Sequence, residues 1–394
     1  MNRKLWTALI CAGCILGLSV GFRQALGLFL TPVSEYLATG RETFALGMGL
    51  MNLLWGLGAP FAGALADRFG AAWVIALGGL AYGAGLAVMT LPGTGEQLLV
   101  GGVLIGLGLS GSGFTVILGT IGRITPEKHR STALGLASVG GSIGQFMSLP
   151  YTHVIIDGYG WSSALLILGA TACLIVPLAY GLASKPVEAD TGPEQKIGEA
   201  LRAAFAIPSF WLLNAGFFVC GFHLAFVGVH LPGFLSDRGF DPWLATVSLT
   251  IVGLTNIAGS YACGVLGGKY SRKNLLSLLY LARAAIFLLF ILTPVTELTV
   301  MIFSAAMGFL WLGTVPLTSG LVGHIFGTRY MSMLFGIVFM GHQLGGFLGA
   351  WIGGYAYDTF GSYDAMWWLS IALGIASAAI HWPISEKPVA VAAA

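Results

Sequence analysis

Four side chains with chemical reach stand inside long apolar runs of this sequence: Arg23, Arg283, His223 and His342. An arginine there presents a permanent planar cation, able to hold a carboxylate through two parallel hydrogen bonds. A histidine changes charge near neutrality. A central arginine costs about 2.5–3.5 kcal/mol on insertion scales, so it normally faces a cavity or a partner. The chain has 16 Asp and Glu, and all fall at the ends of apolar runs or between them. Neither arginine has a buried acid to pair with, and an anionic ligand would supply the missing charge. Arg23 has two alternatives: reaching water from near the end of its run, or pairing with Glu35 or Glu42. Arg283 suits ligand contact and bonding to backbone carbonyls of a neighbouring helix equally well. Each histidine is either a proton carrier or a hydrogen-bonded packing residue.

The elements that must position these groups are membrane helices. The 394 residues are 56% hydrophobic and 9% charged, whereas a soluble domain carries roughly a quarter charged residues. About 20 apolar residues cross a bilayer. Apolar runs fall near 7–30, 43–65, 73–92, 97–121, 132–154 and 161–183, then near 208–234, 243–266, 275–293, 298–322, 333–356 and 365–383. Twelve spans leave no room for a soluble catalytic domain. A net charge of +2 gives no reason to expect a nucleic-acid partner. The five cysteines lie within apolar runs and read as packing residues. There is no phosphate-cradling Gly-Lys-Ser/Thr loop and no Cys/His cluster at metal spacing, so neither an enzyme, a cofactor nor a metal is expected. Met1-Asn-Arg-Lys before an apolar run imitates a signal peptide, but the run is too long and lacks an Ala-x-Ala cleavage site. It reads as a retained first span of an all-α, multi-pass membrane protein.

Fourteen of the 18 Lys and Arg residues fall on the side of the membrane that holds the N-terminus. The excess of basic residues on the cytoplasmic side then places both termini in the cytoplasm. The only long polar connection begins at Lys185 and separates an N-terminal six-helix half (1–184) from a C-terminal one (208–394). Within the linker 185–207, Ile197-Gly-Glu-Ala-Leu-Arg-Ala-Ala-Phe reads either as a helix on the membrane surface or as solvated chain. The halves repeat at a shift near 200. Gly21-Phe22-Arg23-Gln24-Ala25 with Pro32 matches Gly221-Phe222-His223-Leu224-Ala225 with Pro232. Ser131, Gly135, Gly140, Gly144, Phe146 and Asp157 match Ser332, Gly336, Gly341, Gly345, Phe347 and Asp358. Two pseudo-symmetric six-helix halves predict a substrate held between them near the midplane. The glycine stripes of the fifth and eleventh spans predict close helix packing.

Gly63-Ala-Leu65-Ala-Asp67-Arg68-Phe-Gly70, after the second span, resembles the signature loop of the major facilitator superfamily. The repeat and the span count fit that fold. The resemblance implies that Asp67, with Arg68, latches the cytoplasmic gate by meeting a helix N-terminus. Ala71 and Ala72 stand where the family usually has basic residues. The second copy, Gly264-Val-Leu266-Gly-Gly268-Lys269-Tyr-Ser-Arg272-Lys273, keeps the bases and loses the acid. Three stretches resemble the bacterial branch of the monocarboxylate transporters. They are Phe218-Val-Cys220-Gly-Phe222-His223 with His230-Leu-Pro232, Trp311-Leu-Gly-Thr-Val-Pro316-Leu-Thr-Ser-Gly320, and Gly341-His342-Gln343-Leu-Gly-Gly. That likeness implies proton-linked movement of small carboxylates across a bacterial inner membrane. In this branch an arginine often stands in the eighth span, four residues after an acid or amide. Here Asn256 is followed by Ser260, so a different cation must meet the substrate.

Together these features predict a monomeric secondary transporter that moves a small organic anion, a monocarboxylate, with protons by alternating access. Arg23 would hold the carboxylate, helped by Gln24, Asn256 and Arg283, with Gln145 and Gln343 as polar orienting groups and Phe222 and Trp311 as apolar wall. His223 and His342 would respond to protons. The rival readings are proton-driven efflux of an amphiphilic drug or other toxic compound, and a transport-dead sensor that uses the same fold.

Overall fold

A computed structural model describes residues 3–125, 127–183, 197–326 and 331–388; of these, the side chains at 67–68, 123, 127–132, 134–135, 138, 197, 199–200 and 331–332 are not described. The boundary at 184 and most of the predicted linker therefore lie outside the described residues, as do the side chains of the predicted latch, Asp67 and Arg68. The described residues form helices and short connections.

The first span, Arg3–Leu37, passes through a 3-10 turn at Leu26–Phe29. The second is Arg41–Phe69 and the third Ala71–Val88. The fourth is broken: Glu96–Ser112 and Phe114–Ile124 meet at Gly113, whose backbone is extended. The fifth and sixth form one run, Glu127–Ala172, turned at Gly160. There φ is 77°, a left-handed value that glycine adopts without a Cβ penalty. The predicted surface segment is helical, Ile197–Phe205. The last six spans are Pro208–Ser236, Pro242–Gly267, Arg272–Leu292, the tenth span, Met331–Phe360 and Asp364–His381. The tenth is also broken, into Glu297–Phe309 and Thr314–Phe326. The breaks in spans four and ten fall at equivalent places in the repeat, as expected of discontinuous helices in transporters.

Helix starts follow local chemistry. Pro208 and Pro242 occupy first-turn positions, where the missing N–H costs nothing. Asp241 caps the eighth span by accepting from the Trp243 N–H at 2.7 Å. The second span has no such cap of its own, because Gly40 precedes it. The Asp358 carboxylate, at the end of span eleven, caps it by accepting the N–H groups of Arg41 (2.9 Å) and Glu42 (2.7 Å). A side chain at position 40 would collide with that carboxylate.

Apolar side chains gain little from leaving lipid for protein, so helix association rests on close packing. Methyl groups at Gly140 and Gly144 in span five would collide with the backbone of Gly13 and Gly17 in span one. Methyl groups at Gly345 and Gly349 in span eleven would collide with the carbonyls of Phe218 and Phe222 in span seven. The two helix pairings, span five on span one and span eleven on span seven, are repeat equivalents. Between halves, span two packs along span eleven and span five along span eight.

Candidate functional site

Arg23 stands just before the 3-10 turn of the first span. Its Nη2 and Nε donate to Asn52 Oδ1 at 2.6 and 3.2 Å. The orientation of that amide is fixed, because Asn52 Nδ2 donates to the Met48 carbonyl one turn earlier at 2.9 Å. The guanidinium also lies 5.2 Å from the Trp55 ring centroid. None of these partners carries a negative charge. Among the described residues the one ion pair within 4 Å joins Arg41 to Asp237. Glu42, one of the two acids whose spacing allowed a pairing with Arg23, instead accepts from Trp351 Nε1 at 2.9 Å.

Beside Arg23 lies a small cavity between the halves. Spans one and two contribute Arg23, Gln24, Leu26, Gly27, Met48, Met51 and Asn52, and span seven contributes Leu224, Ala225, Gly228 and Val229. Gln24 Nε2 is buried and makes no hydrogen bond within the protein. The walls therefore offer one cation, one spare amide donor, the already engaged Asn52 amide and otherwise apolar surface, a combination suited to a small ligand with one anionic head and a short apolar body. The closeness of the halves here depends on glycine: a side chain at Gly27 would collide with the Gly228 carbonyl.

Arg283 and Asn256 do not line this cavity. Arg283 is fully buried, and its Nη2 donates to the carbonyls of Leu310 and Trp311 at 2.6 and 2.5 Å. Asn256 Oδ1 accepts from the Leu312 N–H at 3.0 Å and from Ser260 Oγ at 3.0 Å. Both residues thus serve the gap in span ten, where the helix ends leave carbonyls and N–H groups without helical partners. Of the two roles the sequence leaves open for Arg283, its observed contacts are with backbone carbonyls. Trp311 belongs to this gap and is buried within the last six spans.

The remaining predicted residues are spread around the cavity. Phe222, on span seven, is buried in the core of the last six spans, where Gly349 of span eleven packs against its backbone. Gln145 packs beside Gly253 where spans five and eight meet, and Gln343 beside Gly56 where spans two and eleven meet. His223 is buried, with Nε2 2.9 Å from the Ser370 carbonyl and its ring against Phe287. His342 Nδ1 lies 3.1 Å from Gln343 Oε1, and its ring stacks on Phe339. His223 lies on span seven itself and His342 packs against it from span eleven, beside Phe217, and neither lines the cavity at Arg23.

Sequence reasoning passed over Met48 and Trp55 as site residues and counted Asn52 only among the uncharged polar groups able to orient a ligand or tie helices together. Their signal was present: they share one face of span two at helical spacing, with one amide among apolar neighbours. Another group was hidden altogether. At the face away from the termini, Arg41 donates to both carboxylate oxygens of Asp237 and to the Tyr363 hydroxyl. On the same face His153 Nδ1 lies 3.0 Å from Thr246 Oγ1. These contacts tie the first six spans to the last six.

Twelve spans, equivalent breaks and a central cavity between halves are matched by sequence: residues 9–348 fit the Major Facilitator Superfamily. The chain belongs to that superfamily. It is 27% identical over 380 residues to monocarboxylate transporter 13 of Rattus norvegicus, covering 91% of this chain and 84% of the relative. It is 24% identical to the MFS-type transporter YcxA of Bacillus subtilis (strain 168), over 87% of this chain and 86% of that protein. In fold it resembles the crystal structure of a bacterial homolog to the human lysosomal transporter Spinster, in its inward-facing and occupied conformation. The TM-score is 0.76 at 16% identity, covering 98% of each chain. This superfamily member is a transporter, not an enzyme, and a multi-pass membrane protein.

Proposed function

We propose that this transporter moves a small organic anion, a monocarboxylate, together with a proton by alternating access. One observation carries the reading: the Arg23 guanidinium stands at a cavity between the halves, held by a neutral amide and an aromatic ring. A carboxylate arriving there finds an unneutralised cation and the Gln24 Nε2 donor, neither of which suits a cationic ligand. The apolar wall from Met48, Met51 and span seven suits a short hydrocarbon tail. The similarity to a named monocarboxylate transporter supports the same substrate class.

The remaining parts fit this scheme. The halves 1–184 and 208–394 rock about the cavity, joined by the linker 185–207, and the chain works as a monomer. The distribution of Lys and Arg puts the termini in the cytoplasm of a bacterium, in its inner membrane. The Arg41–Asp237 contact then closes the outer face. Asp67 and Arg68 act at the opposite, cytoplasmic gate. His223 is part of the helix that walls the cavity and His342 packs against that helix, so a charge on either reaches the site through one element.

The test is proton flux in proteoliposomes carrying an internal pH dye, with lactate, pyruvate or larger anions added under an imposed gradient. Saturable, anion-dependent acidification that Arg23→Gln abolishes is the expected result. Absence of any anion response, with export of amphiphilic dyes in its place, would replace symport by efflux.

A further inference from the structure

The face away from the termini holds a chain of hydrogen bonds whose directions can be deduced. His230 Nε2 lies 2.7 Å from the Ala350 carbonyl, which only accepts, so Nε2 carries a hydrogen. His230 Nδ1 lies 3.2 Å from the Tyr363 hydroxyl, and Arg41 Nη1 donates to that same hydroxyl at 3.0 Å. In the neutral ring Nδ1 is then bare and accepts the Tyr363 hydrogen, while the hydroxyl oxygen accepts from Arg41. With a neutral imidazole the Tyr363 hydrogen is used inside the chain; a protonated ring makes that oxygen accept twice and turns its hydrogen out.

Arg41 continues the chain by donating to the Asp237 carboxylate at 2.8 and 2.5 Å. It also lies 3.8 Å from the Tyr357 ring centroid. The bonds therefore run from span two through a loop tyrosine to span seven and on to span eleven, crossing between the halves at Arg41. We propose that His230 is a proton-binding site coupled to this closure: the closed face holds it neutral, and its protonation releases the latch.

The charge environment explains the direction. The groups facing His230 are Tyr363 at its Nδ1 and, behind that hydroxyl, Arg41 from span two. Asp237, at the end of span seven, is engaged by Arg41. From span eleven, Tyr357 stacks on Arg41, and the Asp358 carboxylate is occupied by the N–H groups of residues 41 and 42. Phe226 completes the near wall. A proton on Nδ1 turns the Tyr363 oxygen into an acceptor for two cations and forces its own hydrogen elsewhere. No carboxylate in the group is free to offset the added charge. The Arg41–Tyr363 link weakens, and with it the tie between the halves.

The experiment reads conformation without any substrate, so it stands or falls separately from the anion reading. Spin labels on genetically encoded keto side chains at positions 36 and 236 bracket this face and avoid the five native cysteines. Distance distributions are recorded in nanodiscs between pH 8 and pH 5. The expected result is at least a tenfold rise in the ratio of wide to narrow populations on acidification. His230→Gln retains a donor for Ala350 and an acceptor for Tyr363 but takes no proton, and stays narrow throughout. Tyr363→Phe removes the link and shows the wide population at both ends of the range. An unchanged acid response in His230→Gln, or no response in the wild type, would overturn the proposal. A narrow, pH-responsive Tyr363→Phe would overturn the route through the hydroxyl.

Discussion

Arg23 and Arg283 are both arginines within membrane spans, yet their neighbourhoods differ in what they offer a cation. Arg283 lies beside the gap in span ten, where a broken helix exposes the Leu310 and Trp311 carbonyls, and it binds both. The equivalent gap in span four is served by small hydroxyls: Ser19 Oγ donates to the Ser112 carbonyl at 3.3 Å. Arg23 is not needed there and is held instead by one side-chain oxygen of Asn52. A guanidinium has five N–H donors, and each arginine keeps some unengaged: Arg283 leaves Nε and Nη1 without a partner, but only Arg23 stands at the cavity. The comparison teaches that spare donors do not by themselves distinguish two intramembrane arginines; what differs is that one binds the carbonyls of a broken helix and the other borders a cavity between the halves.

The sharpest way to break this comparison is to neutralise each arginine in turn. Arg23→Gln should lower anion uptake by about a hundredfold or more, the loss of about 3 kcal/mol from a charge-assisted bidentate pair, while leaving the melting temperature in detergent unchanged. Arg283→Gln should do the reverse. Leaving two buried carbonyls without a charged donor costs about 3 kcal/mol of stability, read as a clear fall in thermal melting, while uptake per folded molecule persists. An Arg283 variant that folds normally but cannot bind the anion would erase the distinction.

Packing offers a second contrast of intermediate size. Gly144→Ala should destabilise by about 1–3 kcal/mol, because the methyl group must push span five away from span one. Gly158→Ala, where nothing lies within 4 Å, should stay within about 0.5 kcal/mol. Equal melting temperatures for the two would show that the glycine stripe is not what holds the pair together. The smallest effects belong to the supporting amides. Asn256→Ala should cost about 1 kcal/mol of stability by freeing the Leu312 N–H. Asn52→Ala should raise the half-saturating anion concentration several-fold with little change in melting. Should the two amides exchange phenotypes, the assignment of cavity and gap would have to be exchanged as well.

Much of this was legible in the residues. Long apolar runs separated by charged turns give the span count, because a bilayer core demands about 20 apolar residues per crossing. The glycine stripes and the near-constant repeat offset pointed to close packing by spans five and eleven, which the structure finds against spans one and seven. Gln24 beside Arg23 could be nominated from adjacency alone. Less visible was the role of Asn256, whose partner Leu312 lies 56 positions away across a helix break. The latch was the least visible. By sequence Arg41 is a loop residue and His230 one of several histidines near span ends.

The sequence by itself determined the spans, the repeat and the presence of two cations without buried acids, since each follows from residue type and local spacing. Only the tertiary structure decided which cation borders the cavity between the halves. Arg23 meets Asn52 from 29 positions away, and Arg283 meets Leu310 from 27. Those distances along the chain are nearly the same, and the difference lies in whether the facing helix is intact or broken. Arg41 reaches Asp237 and Tyr363 across 196 and 322 positions. Contacts between helices on opposite halves depend on how the halves dock, and no local pattern encodes that.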